Sequence, residues 1–178
     1  GEYGSWMHYP PLPDDPVAAN GAGFFDYDND GDLDLYLVCL NSVNKLYQNN
    51  GGQFIELAAA KGIADAGQGR GLALGNYDSD GDLDLYLVNQ EANALYQNHN
   101  GMYRQVSAAD GSLNDKGSGR SASFFDYDND GDLDLYIVNA HGNNQFFLNE
   151  NETLVQFTEA VNLVDQRDGR GLVIGDVD

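Results

Sequence analysis

The chain has 178 residues, 42% of them hydrophobic, which is enough for one domain to bury a core, and it carries a net charge of −21. That charge argues against nucleic acid and anionic membrane surfaces as partners and favours divalent cations. Sixteen of the 29 acids fall within 26–34, 78–84, 126–134 and 176–178, a bunching that a solvated acidic surface does not produce.

In chain order, residues 1–20 come first and hold all four prolines, Pro10, Pro11, Pro13 and Pro16. They read as an extended N-terminal strap, with Trp6 as its packing anchor, or as the remnant of a preceding repeat. From there the chain repeats itself. The segment FFDYDNDGDLDLY of 24–36 returns at 124–136, the variant GNYDSDGDLDLY occupies 75–86, and GDVD at 175–178 opens a further copy, always 50 residues on. The repeats are therefore 21–70, 71–120 and 121–170, with the start of a fourth at 171–178.

Within a repeat the pattern is that of strands and turns. In the second, strands are expected over 71–77, 85–89, 94–97 and 102–107, with a turn at 98–101 and a link over 108–119. Strand two is apolar on both faces, Leu85 and Leu87 pointing one way and Tyr86 and Val88 the other, as in a sheet packed on both sides. Four short antiparallel strands per fifty residues, buried on both faces, give an all-β fold of β-propeller blades rather than a sandwich.

The Asp-rich segment falls between strands one and two and reads Asp-x-Asp-x-Asp-Gly-x-x-Asp. Ca²⁺ takes about 6 to 8 oxygen ligands, and alternating acidic residues converge on one point as a loop winds around it. Glycine in the sixth place permits the sharp turn. Side-chain ligands are expected from Asp26, Asp28, Asp30 and Asp34 in the first loop, with Asp32 giving its carbonyl. The third loop repeats these roles with Asp126, Asp128, Asp130 and Asp134, and Asp132 by its carbonyl. The second offers Asn76, Asp78, Asp80, Asp84 and the carbonyl of Asp82, and its neutral amide predicts weaker binding. Asp176 and Asp178 begin a fourth loop.

Asp and Gly are also common turn residues. Two carboxylates about 4 Å apart repel by roughly 4 kcal/mol at an effective dielectric near 20, however, and several such pairs per loop call for a cation. An EF-hand is excluded, because its twelfth place needs a bidentate Glu, and here Leu37, Leu87 and Ile137 stand there inside strands.

Segments such as FFDYDNDGDLDLYLV and GRGLALGNYDSDGDLDLYLVN resemble the FG-GAP/VCBS-type repeats of integrin α-chain propellers. With the continuation NALYQNHNGMYRQVSAADGSL, they are most similar to the ASPIC/UnbV group. The resemblance covers about 21–178 and implies a propeller, often seven-bladed, with one Ca²⁺ in a hairpin loop of each blade. About three and a half repeats are too few to close such a ring, so further blades or other chains are expected to complete it.

Calcium is abundant outside cells, which points to an extracellular, cell-surface or periplasmic setting and a binding, adhesion or scaffold role toward a protein or carbohydrate ligand. The alternatives are a propeller part of a carbohydrate-active enzyme of polysaccharide-lyase type, or a lectin built on the recurring Tyr47, Gln48, Asn49 and Tyr96, Gln97, Asn98.

Among the remaining residues, no Ser/His/Asp or Cys/His arrangement, phosphate-binding glycine loop or HExxH is found, so catalysis is not expected. Arg70, Arg120 and Arg170 recur at one phase, read as braces between blades or as a ring that captures an anion. His8, His99 and His141 share no ligand spacing. Cys39, the only cysteine, is expected to be a packed thiol, and Asn151-Glu152-Thr153 is a formal sequon. No apolar run approaches the roughly 20 residues needed to span a bilayer.

Overall fold

The computed structural model describes residues 17–106, 113, 119–158, 169 and 171–172. Trp6, His8, the prolines, most of the 108–119 link, Arg170, Asp176 and Asp178 lie outside them. Among the described residues there are twelve strands and no α-helix, so no helix is long and apolar enough to cross a membrane.

The strands form three antiparallel meanders, each a four-stranded blade. The first blade is β1 (Ala19–Phe25), β2 (Asp34–Cys39), β3 (Lys45–Asn50) and β4 (Gln53–Glu56). The second is β5 (Gly69–Gly75), β6 (Asp84–Asn89), β7 (Ala94–His99) and β8 (Met102–Val106). The third is β9 (Gly119–Phe125), β10 (Asp134–Asn139), β11 (Gln145–Asn149) and β12 (Leu154–Gln156).

Several boundaries differ from the sequence expectation, β5 beginning at Gly69 rather than Gly71 and β6 at Asp84 rather than Leu85. Strand one of the second blade ends at Gly75 rather than Tyr77, because the Tyr77 N–H donates to a carboxylate of Asp84 at 2.9 Å and leaves the ladder. Strand three continues to His99, because Asn98 and His99 pair with Tyr103 and Met102. The turn is thereby confined to Asn100 and Gly101, both left-handed at φ 52° and 73°.

Strand two separates two cores, as its apolar pattern predicts. Leu85 and Leu87 pack with Phe25, Tyr36, Val38 and Leu46 toward the first blade. Tyr86 and Val88 pack with Leu135, Ile137 and Phe147 toward the third. All six residues of β6 are buried. The second blade thus supplies one wall to each of two hydrophobic layers, and burying a side chain of this size stabilises by roughly 1.5–3 kcal/mol.

The innermost strands β1, β5 and β9 lie side by side. Glycine permits this approach: a Cβ on Gly69 would stand 2.2 Å from Val38 Cγ1, and on Gly119 2.5 Å from Val88 Cγ1. Tyrosine hydroxyls hold the links, Tyr36 donating to Ile63 O at 2.9 Å and Tyr86 to Leu113 O at 3.2 Å. Cys39 is a packed thiol with no exposed surface.

Candidate metal centres

Each acidic loop joins the first two strands of its blade. Two of its places turn left-handed in all three copies: Asn29, Ser79 and Asn129 at φ 57° to 58°, and Gly31, Gly81 and Gly131 at φ 93° to 98°. The glycines were expected. The fourth place was not, although Asn tolerates this conformation better than most residues and was the available signal.

In the first loop Asp26 accepts from the N–H of Asp30 and Gly31 at 3.0 and 2.9 Å, which closes the turn. Asp28 accepts from Gln48 Nε2 at 2.5 Å through one oxygen, and its other oxygen is buried without a partner. Asp34 is fully buried and accepts from the backbone N–H of Tyr27 at 3.0 Å and Asn49 at 2.8 Å. Carboxylate oxygens of Asp26, Asp28 and Asp34 lie within 4.8 Å of one another.

The third loop repeats the arrangement with Asp126, Asp128 and Asp134, and Asp126 Oδ1 is the buried oxygen without a partner. Asp134 accepts from Tyr127 N at 2.7 Å and Asn149 N at 2.8 Å. Asp30 and Asp130, expected as side-chain ligands, stand outside these groups, each with Oδ1 accepting from the N–H two residues on at 2.9 Å. Asp32 turns its carboxylate to Gly51 N at 3.1 Å, away from the group.

The second loop is arranged differently. Asp78 accepts from Gln97 Nε2, Asp84 from Tyr77 N and Asn98 N, and Asn76 Oδ1 is buried without a partner. Here the gathered trio is Asp80, Asp82 and His99, with His99 Nδ1 3.4 Å from Asp80 Oδ2. His99, read from the sequence as having no ligand spacing, is largely exposed and stands beside these two acids. The signal was present in the sequence, since His99 follows Gln97 by two residues and shares its face of the strand.

These donor sets suit a hard divalent cation. A spread of 4.8 Å is twice a Ca²⁺–oxygen distance of about 2.4 Å, so the three carboxylates of the first and third loops fit around one ion. A buried oxygen without a hydrogen-bond donor is costly, by about 1–3 kcal/mol, and coordination would relieve it at Asp28, Asn76 and Asp126.

Burial pushes the carboxyl of Asp34 up to about 6 and that of Asp84 to about 7, and raises Asp134 likewise; backbone N–H donors oppose this, and neighbouring acids add to it.

Hydrogen bonds join the three loops in series. Tyr27 donates its N–H to Asp34, and its carbonyl accepts from Asn98 Nδ2 of the next blade at 2.8 Å. Asn98 N–H reaches Asp84, which also holds Tyr77; the Tyr77 carbonyl then accepts from Asn149 Nδ2 at 2.7 Å, and Asn149 N–H reaches Asp134. Asn29 Nδ2 adds a second bridge, to Asp82 Oδ1 at 2.7 Å. Gln48, Asn49, Gln97 and Asn98, which suggested a lectin pocket, are occupied inside the blades by these loops.

A stack of all-β blades, each with an acidic loop between its first two strands, defines a repeat protein of the β-propeller class. A family model described as FG-GAP-like repeat matches residues 26–87, 76–137 and 126–178. The chain belongs to the FG-GAP-like repeat family. Each match opens on the first residue of an acidic loop, Asp26, Asn76 or Asp126, the register in which the loops were read. No curated protein matches the chain.

Proposed function

We propose that this is a calcium-stabilised binding or adhesion module of the extracytoplasmic space, with one Ca²⁺ per complete repeat and no catalytic role. The observation that carries the reading is the convergence of Asp26, Asp28 and Asp34, repeated by Asp126, Asp128 and Asp134, together with the unpartnered buried oxygens. Asn76 and Asp78 hold the second site with Asp84, and the neutral amide makes it the weakest. Bound calcium supplies positive charge that lets these carboxylates stay ionised while buried. The dependence on an ion scarce in cytosol supports an extracellular, cell-surface or periplasmic setting. FG-GAP-type repeats typically present a face to a protein ligand, and the finer likeness to the ASPIC/UnbV group belongs to the same reading.

Titration calorimetry of the metal-free chain tests it. Saturable calcium binding is expected, with one site weaker than the rest. Asp28→Ala is expected to weaken one site by about 10-fold or more, since loss of even an outer partner of a metal ligand costs about 10- to 100-fold. Asp32→Ala is expected to change no site by more than about 3-fold, because its carbonyl remains and its carboxylate serves Gly51. Equal losses from the two variants would contradict the assignment.

A further inference from the structure

The acidic loop of one blade is met by the outer hairpin of the next. In the first such joint Asn98 of the second blade reaches Tyr27 O, and the turn at Asn100 and Gly101 closes over Asp28. A Cβ on Gly101 would stand 3.1 Å from Asp28 Cβ and 3.4 Å from Tyr27 Cε2. The second joint repeats the first. Asn149 of the third blade reaches Tyr77 O at 2.7 Å, and the pairing of Asn149 with Leu154 matches that of Asn98 with Tyr103. Asn151 and Glu152 therefore fall where Asn100 and Gly101 stand, and the two turns share one backbone shape, φ 53° and 64° against 52° and 73°.

Glu152 is thus a glutamate in a glycine's place. The left-handed conformation is costly for a residue with a Cβ, and such strain gathers at ligand clamps. By the equivalence of the joints, its side chain leaves the turn at the edge of the second loop, next to Asp78 as Gly101 is next to Asp28. Its charge reaches that loop: burial, with Asp84 and Asp78, pushes the Tyr77 phenol up to about 12, Arg104 opposes this, and Glu152 adds to it.

The second loop is also the one that lacks a carboxylate. The first and third loops each gather three from their first, third and ninth places, whereas the second holds Asn76, Asp78 and Asp84 there, with Asn76 Oδ1 buried without a partner. We infer that Glu152 supplies the missing carboxylate, as a Ca²⁺ ligand that reaches the second loop from the third blade. The inference rests on the calcium reading of the loops. Ca²⁺ takes glutamate carboxylates as well as aspartate ones, and Glu152 is exposed, with a side chain long enough to swing toward the loop. Ordering that side chain costs entropy, so the second site stays the weakest of the three. The bound ion then ties the second blade to the third.

Calcium titration of the whole metal-free chain, followed through the amide resonances of Gly31, Gly81 and Gly131, reads the three loops separately. E152Q is expected to raise the midpoint at Gly81 about tenfold and to leave those at Gly31 and Gly131 within about twofold of the parent. E91Q removes one exposed carboxylate between β6 and β7, at the other end of the blade, and is expected to move none of them. E152G restores the residue of the first joint. It is expected to melt no lower than the parent in EGTA, since the left-handed place gains a glycine, and yet to raise the Gly81 midpoint as E152Q does. A Gly81 midpoint unchanged in E152Q and E152G, equal shifts at all three glycines, or the same shift with E91Q would overturn the inference and leave the calcium reading in place. No saturation at any of the three glycines in the parent would overturn both.

Discussion

Asp34, Asp84 and Asp134 occupy the ninth place of each loop, have at most 1% of their surface exposed, and accept two backbone N–H bonds apiece. Burial outweighs those bonds and raises all three carboxyls above their ordinary 3.8. A carboxyl raised in the folded state binds a proton that the unfolded chain has already released. Without metal, these groups therefore favour the fold most at acid pH, and stability is expected to fall as pH rises toward 6 and 7, the values reached by Asp34 and Asp84. With excess calcium the carboxylates are held ionised and protons compete with the ion, so the slope reverses. Melting temperatures between about pH 5 and 8, in calcium-free buffer and in calcium, check the pair of signs; parallel slopes would count against a metal at these residues.

At the scale of the element, the strand-three asparagine is the joint between loop and neighbour. Asn98 Nδ2 reaches Tyr27 O of the preceding blade, whereas among the described residues Asn49 Nδ2 reaches only Leu33 O of its own. Asn98→Ala leaves a buried carbonyl unpaired and is expected to cost about 1–3 kcal/mol in urea unfolding. Asn49→Ala is expected to cost less than half of that.

The blade itself was legible from sequence, because period-two apolar patterning and a fifty-residue repeat fix strand number and facing. The loop starts at Asp26, Asn76 and Asp126 agree with the starts of the family matches, whereas Asp30 and Asp130 stand outside the gathered carboxylates. The role of Asn98 was not legible, since a contact 71 residues away leaves no local pattern. His99 fell beyond the strand expected over 94–97, and β7 runs on to include it on the face of Gln97. The divergence of the second loop follows from single changes, Asn76 for Asp and a histidine two residues beyond Gln97.

Across the whole molecule, each blade is packed on its neighbours through one hydrophobic layer, and the Asp-loop relay runs along the same contacts. On the proposed reading, the ions act as ties in that relay, and their removal loosens several blade contacts at once. At free calcium about 100 times the dissociation constant, each site adds roughly 2.7 kcal/mol. A few such sites are comparable with the about 5–15 kcal/mol by which most domains are stable. The account rests on those loops being metal-held rather than merely acidic turns. The direct measurement is thermal unfolding of the whole chain at neutral pH, in millimolar calcium and again after chelation with EGTA. A fall in melting temperature of about 10 °C or more, restored by added calcium, is predicted, since 1 kcal/mol shifts a domain of this size by roughly 2–4 °C. An unchanged melt would contradict it.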